Sequence, residues 1–190
     1  GALGLQHGGV AADIEAQRVE QQVMLVIAVG VVFQQHRDSM DGAVHLVGVD
    51  IHKFIQATID KAAKRRELGI PEDAVLLLSV GELNNNKNHE TVIRAIADMN
   101  VYYIIAGMGE SQQYLENLIE TRNLQDRVKL LGFRNDVKEL YEASDMFVFP
   151  SFREGLPLSV MEAMASGLPC VASRIRGNTD LLENNKGGFL

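Results

Sequence analysis

From Ala74 onward, short apolar runs alternate with stretches of helical spacing. Val75–Val80, Tyr102–Ala106, Val128–Leu131, Met146–Phe149 and Cys170–Ala172 are the runs. They are almost unbroken apolar residues rather than apolar–polar alternations, so each is expected to be buried on both faces, as in a parallel sheet. Helical patterns stand between them over Asn88–Met99, with Val92, Ile93, Ile96 and Met99 inward, then over Ser111–Thr121, Asp136–Ala143 and a fourth that begins at Pro157. Gly188–Leu190 starts a sixth strand. Strict βα alternation with right-handed crossovers leaves one fold class, an α/β parallel sheet with helices on both faces.

Length and composition set the outer bounds. With 190 residues there is room for one sizeable domain and an extension. A net charge of −7 argues against a broad nucleic-acid surface, so no nucleic-acid partner is expected. Any bound diphosphate must be held by local donors against that field. Cys170 is the single cysteine, which excludes an internal disulfide, and its core strand predicts an inert packing thiol in a reducing setting. The apolar run Val23–Phe33 falls short of the roughly 20 residues that span a bilayer.

Residues 1–42 are Gln- and Val-rich and lack lysine, which first occurs at Lys53. They read as an atypical, poorly ordered extension, with a short helix over Asp13–Gln22. Residues 43–190 form the α/β domain, entered by an Ala43–Val49 strand and by Asp50 and Phe54. Asp60–Leu68 reads as a helix whose cations form a solvated face suited to its C-terminus.

In an open parallel sheet, ligands bind beyond the C-terminal ends of the strands. After Val80 comes Gly81-Glu82-Leu83-Asn84-Asn85-Asn86-Lys87-Asn88-His89, where Asn86 or Asn88 is placed to cap a helix and Lys87 lies at its mouth. His89 reads as a capping or solvated residue. Gly107-Met108-Gly109 follows the second strand and carries Gln112 where a dinucleotide fingerprint needs a third glycine, so it reads as a tight turn. That weakens a nicotinamide dehydrogenase. Asp136 is placed to cap the helix after Gly132-Phe133-Arg134. No Asp-x-Asp or metal-ligand spacing occurs, so no metal cofactor is expected.

The densest stretch is Phe147–Ser173. A strand stops at Pro150, a polar loop follows, and Pro157 occupies a favoured first helical position. Leu158, Met161, Ala165 and Leu168 continue an apolar face, and Gly167 is placed to end the helix in the left-handed region. Glu154 and Glu162 bracket the loop and the first helical turns, while Gly155 permits close backbone approach to a ligand. The helix start, Leu158 and Ser159, presents unpaired N–H groups suited to phosphate. On spacing alone the two glutamates also fit an N-cap region beside a solvated carboxylate.

The whole string, Glu154-Gly155-Leu156-Pro157 and then Glu162-Ala163-Met164-Ala165-Ser166-Gly167-Leu168-Pro169, resembles the signature of the retaining family-4 glycosyltransferases of GT-B fold. The resemblance runs from about Val44 to Leu190 and covers the donor half, a Rossmann-like domain that is the C-terminal half of a GT-B fold. It implies that Glu162 accepts bonds from ribose hydroxyls and that Lys87 neutralises the diphosphate beside Gly81. Phe133 and Arg134 match the positions that hold the base and flank the ribose. Gly155, Leu156, Pro157, Leu158 and Ser159 line the nucleotide sugar. Glu154 lies beside the donor sugar, positioning hydroxyls or stabilising an oxocarbenium-like centre, with a brief nucleophilic role as the third option. Glu82 departs from the family, which places an arginine directly after the glycine; this chain is similar instead to the GELN…KNH form of capsular and exopolysaccharide transferases.

The implied reaction moves a sugar from a nucleoside diphosphate sugar to a glycan or lipid-linked acceptor. The implied setting is cytoplasmic, at the inner face of the cell membrane in a full-length enzyme, with membrane association only through other parts. An N-terminal acceptor domain is expected as partner, and the isolated chain is expected to be inactive without it. Two other readings remain: a stand-alone nucleotide-sugar-binding module, and a sugar-nucleotide epimerase-like domain, against which the Glu-Gly-Leu-Pro…Glu-Ala-Met string argues.

Overall fold

The computed structural model describes residues 53–54, 59–183 and 188–190. The expected extension over residues 1–42 and the Ala43–Val49 strand lie outside the described residues. Eleven elements follow in order: α1 (Lys61–Glu67), β1 (Val75–Val80), α2 (His89–Ala95), β2 (Val101–Ala106), α3 (Gln112–Thr121), β3 (Val128–Gly132), α4 (Val137–Ala143), β4 (Met146–Phe149), α5 (Leu158–Ala165), β5 (Cys170–Ala172) and β6 (Gly188–Phe189). The strands form one six-stranded sheet in the order β3-β2-β1-β4-β5-β6. Every pairing is parallel, with Val75 opposite Val101, Leu77 opposite Met146, and Phe147 opposite Cys170. This is the expected Rossmann-like sheet.

Successive strand residues point to opposite faces, so the sheet has two cores. Leu76, Leu78, Ile104, Phe147 and Phe149 pack with Tyr141 of α4 and with Val160, Met161 and Met164 of α5. Leu77, Tyr103, Ile105 and Val148 pack on the other side with Ile93 of α2 and Leu115, Leu118 and Ile119 of α3. Helices on both faces explain why the strands carry so few polar residues. Cys170 is fully buried, and burial pushes its thiol up to about 12, so it is inert at neutral pH as expected.

Several local expectations fail for identifiable reasons. Only some of the α1 cations form a solvated face: Lys61 and Arg66 are exposed, but Lys64 and Arg65 are buried. The helix packs on α4, and the long side chains bury their stems while their heads find acceptors. Arg65 donates to the carbonyls of Ala143 (2.9 Å), Glu72 (2.7 Å) and Ala74 (2.9 Å), and lies 2.6 Å from Asp145 Oδ2. Lys64 sits among Glu67, Asp136 and Glu139. Helix α2 stops at Ala95, so the helical period no longer governs Met99, which is 51% exposed. Asp136 occupies the N-cap of α4 but its side chain does not cap, because Arg134 and Lys64 claim the carboxylate.

Candidate functional site

Strand order reverses between β1 and β4, which lie side by side. In a sheet of this kind ligands bind at such a reversal, beyond the C-terminal ends of the strands. The loop after β1 carries Lys87, and the loop after β4 carries Glu154. They meet: Lys87 Nζ lies 2.7 Å from Glu154 Oε1, with side chains 19% and 12% exposed. The ammonium also sits 4.9 Å from the centre of the Phe149 ring, a cation–π contact. Gly81 faces the same lysine, and a Cβ there would stand 3.4 Å from Lys87 Cε.

Backbone bonds stitch the two loops together. Phe152 N–H donates to the Asn86 carbonyl (2.8 Å), and the Asn86 amide donates to the Arg153 carbonyl (2.9 Å). Asn88 is the N-cap residue of α2, in the left-handed region at φ 52°, yet its side chain makes no cap. Its amide instead donates to the Pro150 carbonyl (3.2 Å), a cross-link between loops. Gly177, at φ +91°, closes the far side: a Cβ there would lie 2.6 Å from the Gly155 carbonyl oxygen. Only glycine allows that approach, which holds the Glu154-Gly155 backbone from behind. Sequence reasoning passed over Gly177, although a glycine five residues after the strand end at Ala172 was the available signal.

His89 is neither capping nor solvated. It is 3% exposed, with Nε2 donating to the Glu82 carbonyl (3.2 Å) and Nδ1 3.3 Å from the Tyr103 hydroxyl. Tyr103 in turn lies 2.7 Å from Ser79 Oγ, which donates to the Val148 carbonyl. Burial, with Lys87 nearby, lowers the imidazole to about 4 although the Glu82 bond opposes, so it is neutral at pH 7. A neutral imidazole with one N–H suits a tether. It anchors the start of the Lys87 loop to the core.

Glu162 projects from α5 and is half-buried. Tyr141 Oη lies 3.0 Å from Glu162 Oε2 and 3.1 Å from the Ser159 carbonyl, so one buried hydroxyl orients both. Burial raises the carboxyl, while the Tyr141 bond and the charge of Lys53 work to keep it ionised. Tyr141 is the residue behind Glu162 that the sequence did not single out. Pro157 is the N-cap of α5 rather than its first helical residue, because its ψ of 87° is extended. Val160 and Met161 are the N–H groups that bond back to its carbonyl. No side chain caps this end, and Leu158 and Ser159 begin the helix. Gly167, at φ +75°, follows its end as expected.

The remaining candidates are spread out. Gly155 has open space where a Cβ would stand, and Leu156 is 36% exposed. Phe133 is 69% exposed after β3. Arg134 is not beside Lys87 or Glu154 in any hydrogen bond; it pairs with Asp136 and Glu67, and the Asp136 bond chiefly raises its already high pKa. Among the described residues no group of three or more His, Cys, Asp or Glu could hold a metal ion. No described helix is long and apolar enough to cross a membrane.

A Rossmann-like parallel sheet with helices on both faces is the fold of one half of a GT-B glycosyltransferase. The chain belongs to the family of glycosyl transferases group 1, whose profile matches residues 60–190. It is 38% identical over 151 residues to the UDP-Gal:alpha-D-GlcNAc-diphosphoundecaprenol alpha-1,3-galactosyltransferase of Escherichia coli, covering 75% of this chain and 39% of that protein. It is 33% identical over 129 residues to the O-antigen biosynthesis glycosyltransferase WclY of Escherichia coli, covering 67% of this chain and 36% of that one. Among solved structures, HepE of Anabaena in complex with UDP-glucose superposes with a TM-score of 0.70 at 30% identity, over 75% of this chain and 41% of its own. The chain thus spans about two fifths of the length of these relatives.

Proposed function

We propose that this chain is the donor-binding domain of a retaining, family-4 glycosyltransferase of the capsular or exopolysaccharide type. It would transfer a hexose from a nucleoside diphosphate sugar to a hydroxyl of a polysaccharide or lipid-linked glycan, on the cytoplasmic side of the membrane. The observation that carries this reading is the Lys87–Glu154 contact at the switch point. Lys87 supplies the cation for the diphosphate, helped by the α5 N-terminus at Leu158 and Ser159. Glu154, one residue before the open Gly155 backbone, faces the sugar and stabilises positive charge at its anomeric carbon. Glu162 accepts the ribose hydroxyls, with Phe133 and Arg134 toward the base.

Atoms balance simply. The anomeric C–O bond to the β-phosphate breaks, the leaving diphosphate keeps the electron pair, and the acceptor oxygen forms the new bond as its proton passes to that leaving oxygen or to solvent. UDP is the first nucleotide to test, since HepE was crystallised with UDP-glucose.

Transfer also requires the acceptor hydroxyl to be held opposite the anomeric carbon, which can account for about 7–11 kcal/mol of a barrier. An acceptor-holding domain is the partner this function needs. Calorimetry with UDP, GDP and ADP sugars, with and without a chelator, tests the reading. Saturable binding of one nucleotide class that survives chelation is expected, with measurable transfer only once an acceptor domain is joined. Ordinary turnover by these 190 residues, or a strict divalent-cation requirement for binding, would overturn it.

A further inference from the structure

A cleft is lined in part by the same two loops that bring Lys87 and Glu154 together. Its volume is about 250 Å³, and its walls come from the loop after β1, the start of α3 and Phe152. It includes none of Lys87, Glu154 or Glu162. The bonds from Asn86 to Phe152 and Arg153 hold its two walls together.

The chemistry of the lining narrows the ligand. Phe152 is 66% exposed and Tyr114 48% exposed, two aromatic residues that the core leaves uncovered. Asn84, Asn85 and Ser111 line the cleft with them, and the Asn84 side chain is already engaged, donating to Glu82 Oε2 (2.8 Å) and accepting from the Lys87 N–H (3.0 Å). Among the described residues Asn85 and Ser111 make no side-chain hydrogen bond, and Ser111 does not cap α3 although it occupies the N-cap. Amide and hydroxyl groups of this kind donate and accept at once, matching ligand hydroxyls. No lysine or arginine lines the cleft, and its one acid, Glu90, is already engaged by Arg94 and Tyr114. His89 in its floor is uncharged at neutral pH. An anionic ligand therefore has no counter-charge here. A purely apolar one would strand the Asn85 carboxamide and the Ser111 hydroxyl without partners.

What fits is an uncharged ring with an apolar face and a rim of hydroxyls. The volume lies below the roughly 300–1,000 Å³ of sites for drug-sized ligands, so it suits one unit of a longer chain. We infer that this cleft is a saccharide subsite. It binds a neutral sugar unit of the acceptor or product glycan, stacked on Phe152 and hydrogen-bonded to Asn85 and Ser111. The acceptor role rests on the donor-domain reading; the saccharide chemistry rests on the lining alone.

The test is a titration of the isotope-labelled chain with chitobiose and with maltotriose, following the side-chain amide signals of Asn84 and Asn85, with and without UDP. At least one sugar should shift these signals saturably, and UDP should leave the shifts in place. Phe152→Ala should weaken the sugar at least tenfold while Phe152→Trp retains it, and neither should change UDP affinity. No saturable shift with either sugar, displacement of the sugar by UDP, or an unaffected Phe152→Ala would each overturn the inference. UDP binding without sugar shifts sinks this inference alone. Sugar shifts without binding of any nucleotide would overturn the donor-domain reading and the acceptor role with it.

Discussion

Lys87 and Glu154 lie 67 residues apart in sequence and 2.7 Å apart in space. The Glu154 carboxylate is the anionic partner of the lysine, the position that the proposed function assigns to a diphosphate. On the proposed function, donor binding must separate this ion pair, which makes the two residues opposite in sign as mutants. Lys87→Ala should weaken nucleoside diphosphate binding roughly tenfold or more, since charge-assisted bonds are worth about 1.5–3 kcal/mol. Glu154→Gln should tighten it by a few-fold, because the lysine loses its competitor, while transfer by the complete enzyme falls. Calorimetry on both variants checks this, and weaker diphosphate binding by Glu154→Gln would contradict the proposed competition.

Glu162 should read the ribose. Glu162→Ala is expected to weaken nucleotide binding about tenfold or more through loss of a charged acceptor. A 2′,3′-dideoxynucleotide should bind the unmutated chain as weakly as the ordinary nucleotide binds the variant. Tyr141→Phe should show a smaller loss, since it removes the brace and leaves the carboxylate. Equal affinity of the unmutated chain for ribo- and dideoxynucleotides would refute the role.

The buried His89 should make stability depend on pH. Its folded value of about 4 lies below the ordinary 6.5, so the unfolded chain binds the extra proton first. Stability from this group is complete above about pH 6.5 and is lost as pH falls toward 4, by up to about 3 kcal/mol. Denaturant unfolding at stepped pH should show this slope in the unmutated protein. It should be flattened in His89→Gln, whose amide can still donate to the Glu82 carbonyl. An identical slope in the variant would assign the titration to other groups.

Arg65 closes the bottom of the sheet by tying α1, α4 and Asp145 together. Asp145 also accepts the Leu76 N–H (2.8 Å), so the network reaches β1. Arg65→Ala strands three carbonyls and weakens the hold on a carboxylate, and should destabilise the fold by about 3–5 kcal/mol. Arg65→Lys cannot reproduce the fork of donors and should recover only part of this. Thermal unfolding of both variants measures it. Nucleotide affinity of the folded fraction should be unchanged, because these contacts lie at the opposite end of the strands.

The order of elements was legible in the chain because it depends on local pattern. Almost unbroken apolar runs such as Val75–Val80 fit strands covered on both faces, and helical spacing between them leaves few topologies. The density of the Glu154–Pro169 string likewise pointed to the family before any contact was visible. Single charged residues were another matter. Lys64, Arg65 and His89 look like surface residues in sequence, since nothing local says whether a partner will be waiting. Their burial depends on Asp136, Asp145 and Tyr103, which only the packed sheet brings to them. The same holds for the site. Sequence could name Lys87 and Glu154 separately, but their meeting, the Gly177 support and the Phe152 cleft exist because strand order places β1 beside β4, a long-range choice that no local spacing encodes.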